Sequence, residues 1–145
     1  MTEPSKMRRH LVAALSITAI LTIVPASASQ AEVIGHHYQV PATICSFDWQ
    51  KGIWQVKELI RCAALHWEVP GGPQMALSIA DRESKFAPNA YNPSGCAGIY
   101  QHMLKYWPGR ADAFGFPGWS AFNARANIIV TMEMVRRAGW GPWAG

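Results

Sequence analysis

The apolar positions of this 145-residue chain fall in separate stretches with different periodicities. The earliest, LVAALSITAILTIVPA, is apolar with little polar alternation; a polar decapeptide carrying Lys6, Arg8 and Arg9 precedes it and SASQAE follows. A charged start, an apolar centre and a small-residue exit are the three parts of a secretory leader. Ser29 and Ala31 place cleavage before Glu32, and Ala26 with Ala28 offers an earlier site. The alternative is an uncleaved membrane anchor, for which the centre is a little short. Residues 32–51, with Pro41, have no periodicity and read as an irregular arm. In GIWQVKELIRCAALH, 52–66, the positions Trp54, Leu59, Cys62, Ala63 and His66 recur at three- and four-residue steps, which predicts an amphipathic helix. Pro70, Gly71 and Gly72 end it, and Pro73 suits a first helical residue.

The next stretch, PQMALSIADRESKF, predicts a short helix with Met75, Ile79 and Phe86, or Ala76, Ala80 and Glu83, on neighbouring faces. Pro88 stops it, leaving Glu83 in its last turns. Asn89 to Gly98 holds Asn92-Pro93-Ser94-Gly95, turn chemistry with room for a short hairpin around 89–98. Residues 99–107 read as a short helix ending near Pro108 and Gly109. A longer helix follows in AFNARANIIVTMEMVRRAG, with Phe122, Ala126, Ile129, Met132 and Val135 or Met134 on one face and Gly139 as its cap. The aromatic tail WGPWAG is expected to fold back, because exposed tryptophans on a free end are costly. The fold class is mostly α, organised as 1–31 leader, 32–51 arm and 52–145 domain.

Composition narrows the function. Without the leader, roughly 114 residues remain, enough for one modest core. Three of the thirteen Lys and Arg lie in the leader, and so does one of the nine acids, Glu3. The remainder is weakly basic, with no Lys/Arg stripe able to neutralise several phosphates, so nucleic acid is not an expected partner. Mild attraction to an anionic envelope polymer survives. A single domain of this kind is expected to act as a monomer, secreted or associated with the cell wall and without a stable membrane anchor if the leader is cleaved.

Cys45, Cys62 and Cys96 fit neither a zinc knuckle nor a redox pair. One disulfide and one leftover thiol is the natural reading in an oxidising compartment. Spacing does not choose the pair; Cys62 with Cys96 would tie an early helix to the loop after Glu83. The adjacent His36 and His37 are read as surface residues of the arm, and neither a metal nor a cofactor is expected.

The chain has no nucleophile elbow, no phosphate loop and no histidine pair at helical spacing beside an acid. Its candidate chemistry is Glu83, at a helix end beside Ile79, Ala80, Phe86 and the Asn/Pro/Gly loop. A carboxyl sheltered from water holds its proton more tightly, as a general acid for glycosidic cleavage requires. A lone glutamate in a helix's last turns is otherwise an ordinary surface residue.

The order of further short elements changes that balance. Glu83-Ser84, Asn89-Ala90, Ser94-Gly95 and Gly98-Ile99-Tyr100-Gln101 together resemble the lysozyme-like fold of the lytic transglycosylases. In that family a catalytic Glu-Ser is followed by a Gly-Leu-Met-Gln or Gly-Leu-Phe-Gln element. Asn127 resembles the start of the family's later Asn-rich helix, which packs beneath the cleft. The likeness runs from about Ile53 to Trp143. It implies a small lysozyme-like domain in which Glu83 is the catalytic acid and Ser84 positions the acid or the sugar. Gln101 matches the glutamine of the Gly-x-x-Gln element. Tyr100 stands where Met or Phe lies beside the cleft, as a substrate contact or a packed aromatic, and Gly98 lets the backbone approach closely.

The resemblance also implies the substrate, the glycan strands of peptidoglycan, and a route needing one carboxylate. The muramyl 6-hydroxyl attacks the anomeric carbon and closes a 1,6-anhydro ring, with the N-acetyl group able to assist. A two-carboxylate hydrolase needs a second acid: Asp81 points to another face of its helix, Asp112 is in a loop and could approach, and Glu133 is on the polar side of the last helix, so none is secure. Hydrolysis by water and a non-catalytic glycan-binding module are the alternatives. Of seven tryptophans, Trp107, Trp119, Trp140 and Trp143 can stack on sugar faces, and Trp107 and Trp119 border the expected cleft. One departure stands out: the family's Tyr-Leu pair, whose tyrosine reaches toward the acid, is replaced by Met132-Glu133-Met134. Tyr91, Tyr100 or Tyr106 must supply that contact, or the site is weaker.

Overall fold

A computed structural model describes residues 38–145. The expected leader 1–31, its cleavage or anchoring, and arm residues 32–37 with His36 and His37 lie outside the described residues. Among the described residues no helix is long and apolar enough to cross a membrane.

Helix α4, Ala124–Ala138, is the hub. Its NIIVTM centre is apolar on nearly every side, and a helix apolar all round belongs inside a core; Asn127 through Glu133 are all buried. The helix starts where the Asn123 side chain accepts from the Ala126 N–H at 3.0 Å, a cap contributing about 1 kcal/mol. It stops at Gly139, whose φ of 72° suits glycine. Phe122 lies outside it, with its ring partly exposed.

Helix α1, Ile53–His66, packs on both α4 and α2, Gly72–Ser84. Its buried face is Val56, Leu59, Ile60, Ala63 and Ala64, whereas Trp54 and His66 face solvent. The expected face was thus turned by part of a helical turn, because the broad apolar content of 53–65 permits two stripes and packing against α4 selects one. Each large aliphatic on the chosen face contributes roughly 1.5–3 kcal/mol by burial. On α2 the buried side chains are Ala76, Ile79 and Ala80. Small residues there let α1 and α2 approach closely.

The segment after α2 departs from expectation. A two-stranded antiparallel hairpin forms, but from β1, Cys96–Ala97, and β2, His102–Met103, with Cys96 opposite Met103. Residues 99–107 are therefore not a helix. The chain reverses through Gly98 and Gln101, whose φ values of 77° and 51° are left-handed, and such residues interrupt a right-handed helix. Helix α3 instead begins at Trp107 and runs to Ala113, with Pro108 in its first turn, where a missing N–H costs nothing.

The arm residues Tyr38–Lys51 are irregular apart from a 3-10 turn at Trp49–Lys51. They are held by a Cys45–Cys62 disulfide, with Cα atoms 5.6 Å apart. This corrects the Cys62–Cys96 pairing: Cys62 lies on the side of α1 that the arm crosses, and Cys96, in β1, stays a free thiol. Closing a loop of 17 residues stabilises by roughly 3 kcal/mol. As expected, the tail turns back: Gly141–Trp143 form a 3-10 turn, and Trp143 is buried with its Nε1–H donating to the Tyr100 carbonyl at 2.8 Å. The described residues thus make a mostly helical domain of the small lysozyme-like α type.

Candidate active site

Helix α2 ends abruptly one residue after Glu83. Lys85 and Phe86 have φ of 54° and 62°, two successive left-handed residues that cost energy in L-amino acids. The sharp turn leaves Glu83 at an open helix end, its side chain 24% exposed. Arg82 donates to Glu83 Oε1 from Nη2 at 2.8 Å and Nε at 3.2 Å, and also to the Trp143 carbonyl. Both contacts fall on Oε1; Oε2 accepts from no described residue.

Glu83 lines a hollow of about 420 Å³ together with Gln101, Arg110 and Trp143. Asn92, Cys96, Met103 and Pro142 complete its wall. Two hollows of similar size lie elsewhere, about 370 Å³ beside Trp49 and Phe86 and about 400 Å³ beside Trp119 and Arg125. Size does not choose among them, but chemistry does, since neither of those two has a carboxylate in its wall.

The loop wall is organised by amides. Asn92 Oδ1 accepts from the Ser94 N–H, the Ser94 hydroxyl and the Cys96 N–H, while its Nδ2 donates to Gln101 Oε1 at 3.2 Å. Gln101 Nε2 donates to the Gly98 and Ala90 carbonyls. Gln101 thus clamps the 89–98 loop to the hairpin turn while presenting an edge to the hollow. Beneath it, Asn127 is fully buried on α4. Its Oδ1 accepts from the Tyr100 N–H at 2.9 Å, and its Nδ2 donates to the Ala121 and Ala97 carbonyls.

Several expected substrate contacts prove to be framework. Tyr100 is fully buried, its hydroxyl donating to the Ala76 carbonyl at 2.9 Å, and burial raises its pKa well above the ordinary phenol value; the packed-aromatic alternative is the correct one. At Gly98 the backbone closes on the protein instead of a ligand: a Cβ there would lie 2.3 Å from the Ala121 carbonyl oxygen and from Asn127 Nδ2. Ser84 bonds back to the Ala80 carbonyl at 3.3 Å and is absent from the hollow's wall. Trp107 is buried against His102, donating to the Trp119 carbonyl. Trp119, 46% exposed, borders the separate hollow beside Arg125. Trp143 is the tryptophan at Glu83.

The missing tyrosine is not replaced by another. Tyr91 and Tyr106 are exposed and Tyr100 is in the core, so none lines the hollow; Arg82 is the neighbour that touches the acid. The other acids also lie elsewhere. Asp81 pairs with Lys85, and Asp112, on α3 instead of in a loop, is exposed. Glu133 is buried instead of facing solvent, accepting from Trp67 Nε1–H at 2.7 Å and from Arg136 at 3.0 Å; a buried carboxylate persists when so paired.

Behind the wall runs a relay that the sequence did not announce. Arg110 Nη1 donates to His102 Nδ1 at 2.9 Å, His102 Nε2 meets the Thr131 hydroxyl at 2.7 Å, and that hydroxyl donates to the Asn127 carbonyl. With Arg110 donating to Nδ1, the proton sits on Nε2 and His102 is neutral. Burial, reinforced by the Arg110 charge, pushes its pKa down to about 3. The unfolded chain takes up this proton near the ordinary value of 6.5, so the folded state is favoured above that pH and loses stability as pH falls toward 3. At pH 4 the expected loss is roughly 3 kcal/mol. His102→Gln retains one acceptor and one donor but does not titrate, so its melting temperature should depend less steeply on pH between 6.5 and 4. Equal slopes in the two proteins would contradict the assignment.

The family model described as the transglycosylase SLT domain matches residues 58–132, from within α1 to within α4, and spans Glu83, Gln101 and Asn127. No curated protein and no solved structure matches the chain at a significant level. With more than half of its residues inside the family match, the chain belongs to the transglycosylase SLT domain family.

Proposed function

We propose that this protein cleaves the β-1,4 bond between MurNAc and GlcNAc in peptidoglycan, with Glu83 acting first as acid and then as base. The observation that carries the reading is that Glu83 is the one carboxylate among the described residues lining its hollow. Two-carboxylate glycosidases need a partner acid across the scissile bond, and Asp81, Asp112 and Glu133 are all placed elsewhere.

A single carboxyl is sufficient for the intramolecular route. The Glu83 carboxyl gives its proton to the glycosidic oxygen, the C1–O bond breaks, and GlcNAc leaves with a free 4-hydroxyl. The muramyl 6-hydroxyl then bonds to C1 and returns its proton to Glu83, leaving a 1,6-anhydro end. The N-acetyl oxygen can stabilise the positive charge at C1 in between. Arg82 holds Oε1 in place, and Trp143 and Gln101 form the walls against which a sugar ring can lie. The family assignment supports an extracytoplasmic setting, consistent with the leader-like start, and the protein acts there as a monomer.

The test is the mass of the fragments released from peptidoglycan by the purified protein. Ends lighter by one water than reducing MurNAc ends are expected. Reducing ends alone would move the reading to a hydrolytic muramidase, and strand binding without release to a glycan-binding module.

A further inference from the structure

We propose that Arg110 is the specificity-determining cation of this cleft and receives a carboxylate carried by the muramyl residue of the strand; the proposal rests on the cleavage reading above. Arg110 projects from α3 into the wall that also contains Glu83. The acids that form ion pairs among the described residues are all committed to other cations: Asp48 to Lys51, Glu58 to Arg61, Asp81 to Lys85, Glu83 to Arg82, and Glu133 to Arg136 and Arg137. Arg110 therefore brings an uncompensated charge to the hollow, although partial burial disfavours it there.

The guanidinium is also oriented. One Nη1–H is held by neutral His102, and its Cζ lies over the Tyr106 ring, 5.5 Å from the ring centre. Its other N–H groups donate to no described residue, so a donor fork is left for a ligand. Such a fork matches a carboxylate in bidentate geometry. Arg82 is not equivalent, because its charge is paired with Glu83 and its Nε and Nη2 donors are engaged by Glu83 and the Trp143 carbonyl. Muramyl units carry a carboxylate on the lactyl ether when stem-free and on the stem peptide when substituted. A strand of GlcNAc alone carries none.

The experiment compares the parent protein with Arg110→Gln and Arg110→Lys on two substrate pairs. One pair is stem-free glycan strands and the same strands with the lactyl carboxyl converted to a methylamide. The other is stem-bearing strands with free or amidated stem carboxylates. The parent is expected to favour the charged member of one pair by roughly 10-fold or more in kcat/KM, and which pair shows it identifies the carboxylate. In Arg110→Gln the ratio should fall to near one, chiefly through a raised KM for the charged strand. Arg110→Lys keeps the charge without the fork and should give a reduced ratio; it is the variant read if Arg110→Gln does not fold. A cation that merely supports His102 would leave the ratio unchanged. An unchanged ratio in a folded variant, or no preference in the parent, overturns the proposal. Binding of the same strands to Glu83→Gln and Glu83→Gln/Arg110→Gln, followed by tryptophan fluorescence, separates this from cleavage itself. If the parent cuts nothing but Glu83→Gln binds charged strands more tightly through Arg110, the Arg110 assignment stands and the cleavage reading fails.

Discussion

Glu83→Gln is expected to lower the turnover of peptidoglycan by roughly 100-fold or more, the range lost when general acid–base catalysis is removed. The substitution isolates the proton. Glutamine has nearly the same size, and its Oε1 can still accept from Arg82, which holds that oxygen in the parent at 2.8 Å. The ion pair it sacrifices is half exposed on the arginine side, and pairs of this kind contribute at most about 1 kcal/mol. The fold should therefore survive while the chemistry does not. Fragment release from peptidoglycan by both proteins, with far-UV circular dichroism to confirm equal folding, measures the effect. Equal rates in two equally folded proteins would end the assignment of Glu83 as the acid.

Asn127→Leu is expected to have the largest effect on stability. The side chain is fully buried and joins three segments: the Tyr100 N–H of the hairpin turn, the Ala97 carbonyl of β1 and the Ala121 carbonyl before α4. Leucine has the same branched skeleton, with bulkier methyl ends, but satisfies none of these groups. Each buried polar group left without a partner costs about 1–3 kcal/mol, so a loss of roughly 4 kcal/mol or more is expected, a large share of the 5–15 kcal/mol typical of a domain. Urea unfolding midpoints of parent and variant would show it. A shift equivalent to less than about 1 kcal/mol would mean that water or rearrangement replaces those bonds. Gly98 belongs to the same junction, since a side chain there would overlap Asn127 and the Ala121 carbonyl.

The parts of the molecule legible in the sequence were those with local causes. The extents of α1, α2 and α4 follow from apolar spacing bounded by Pro and Gly, and Gly139 ends α4 as its left-handed preference requires. The place of Glu83 at the end of α2 follows from the same spacing, and the return of the tail follows from two tryptophans that water would not tolerate. Asn127 was placed by its resemblance to a helix beneath a cleft, and it is there.

Partners distant in the chain decided the rest. Helical periodicity is blind to which of two stripes on α1 meets α4, and Trp54 turned outward as a result. A Gly-Ile-Tyr-Gln string does not say whether its residues face a ligand or the protein. Tyr100 and Gly98 were claimed by Ala76, Ala121 and Asn127, and only Gln101 reaches the hollow. Cys62 met Cys45 because the arm crosses α1, a proximity that spacing along the chain does not encode. Arg110, His102 and Thr131 come from three separate elements, and Trp143 reaches Glu83's wall from the far end of the chain. Periodicity and turn chemistry act over a few residues, so the sequence alone determined α1, α2 and α4 and the position of Glu83, but not α3, which it placed at 99–107. Hydrogen-bond satisfaction and close packing act between segments, so only the tertiary structure decided which side chains surround that acid and which are consumed in holding it there.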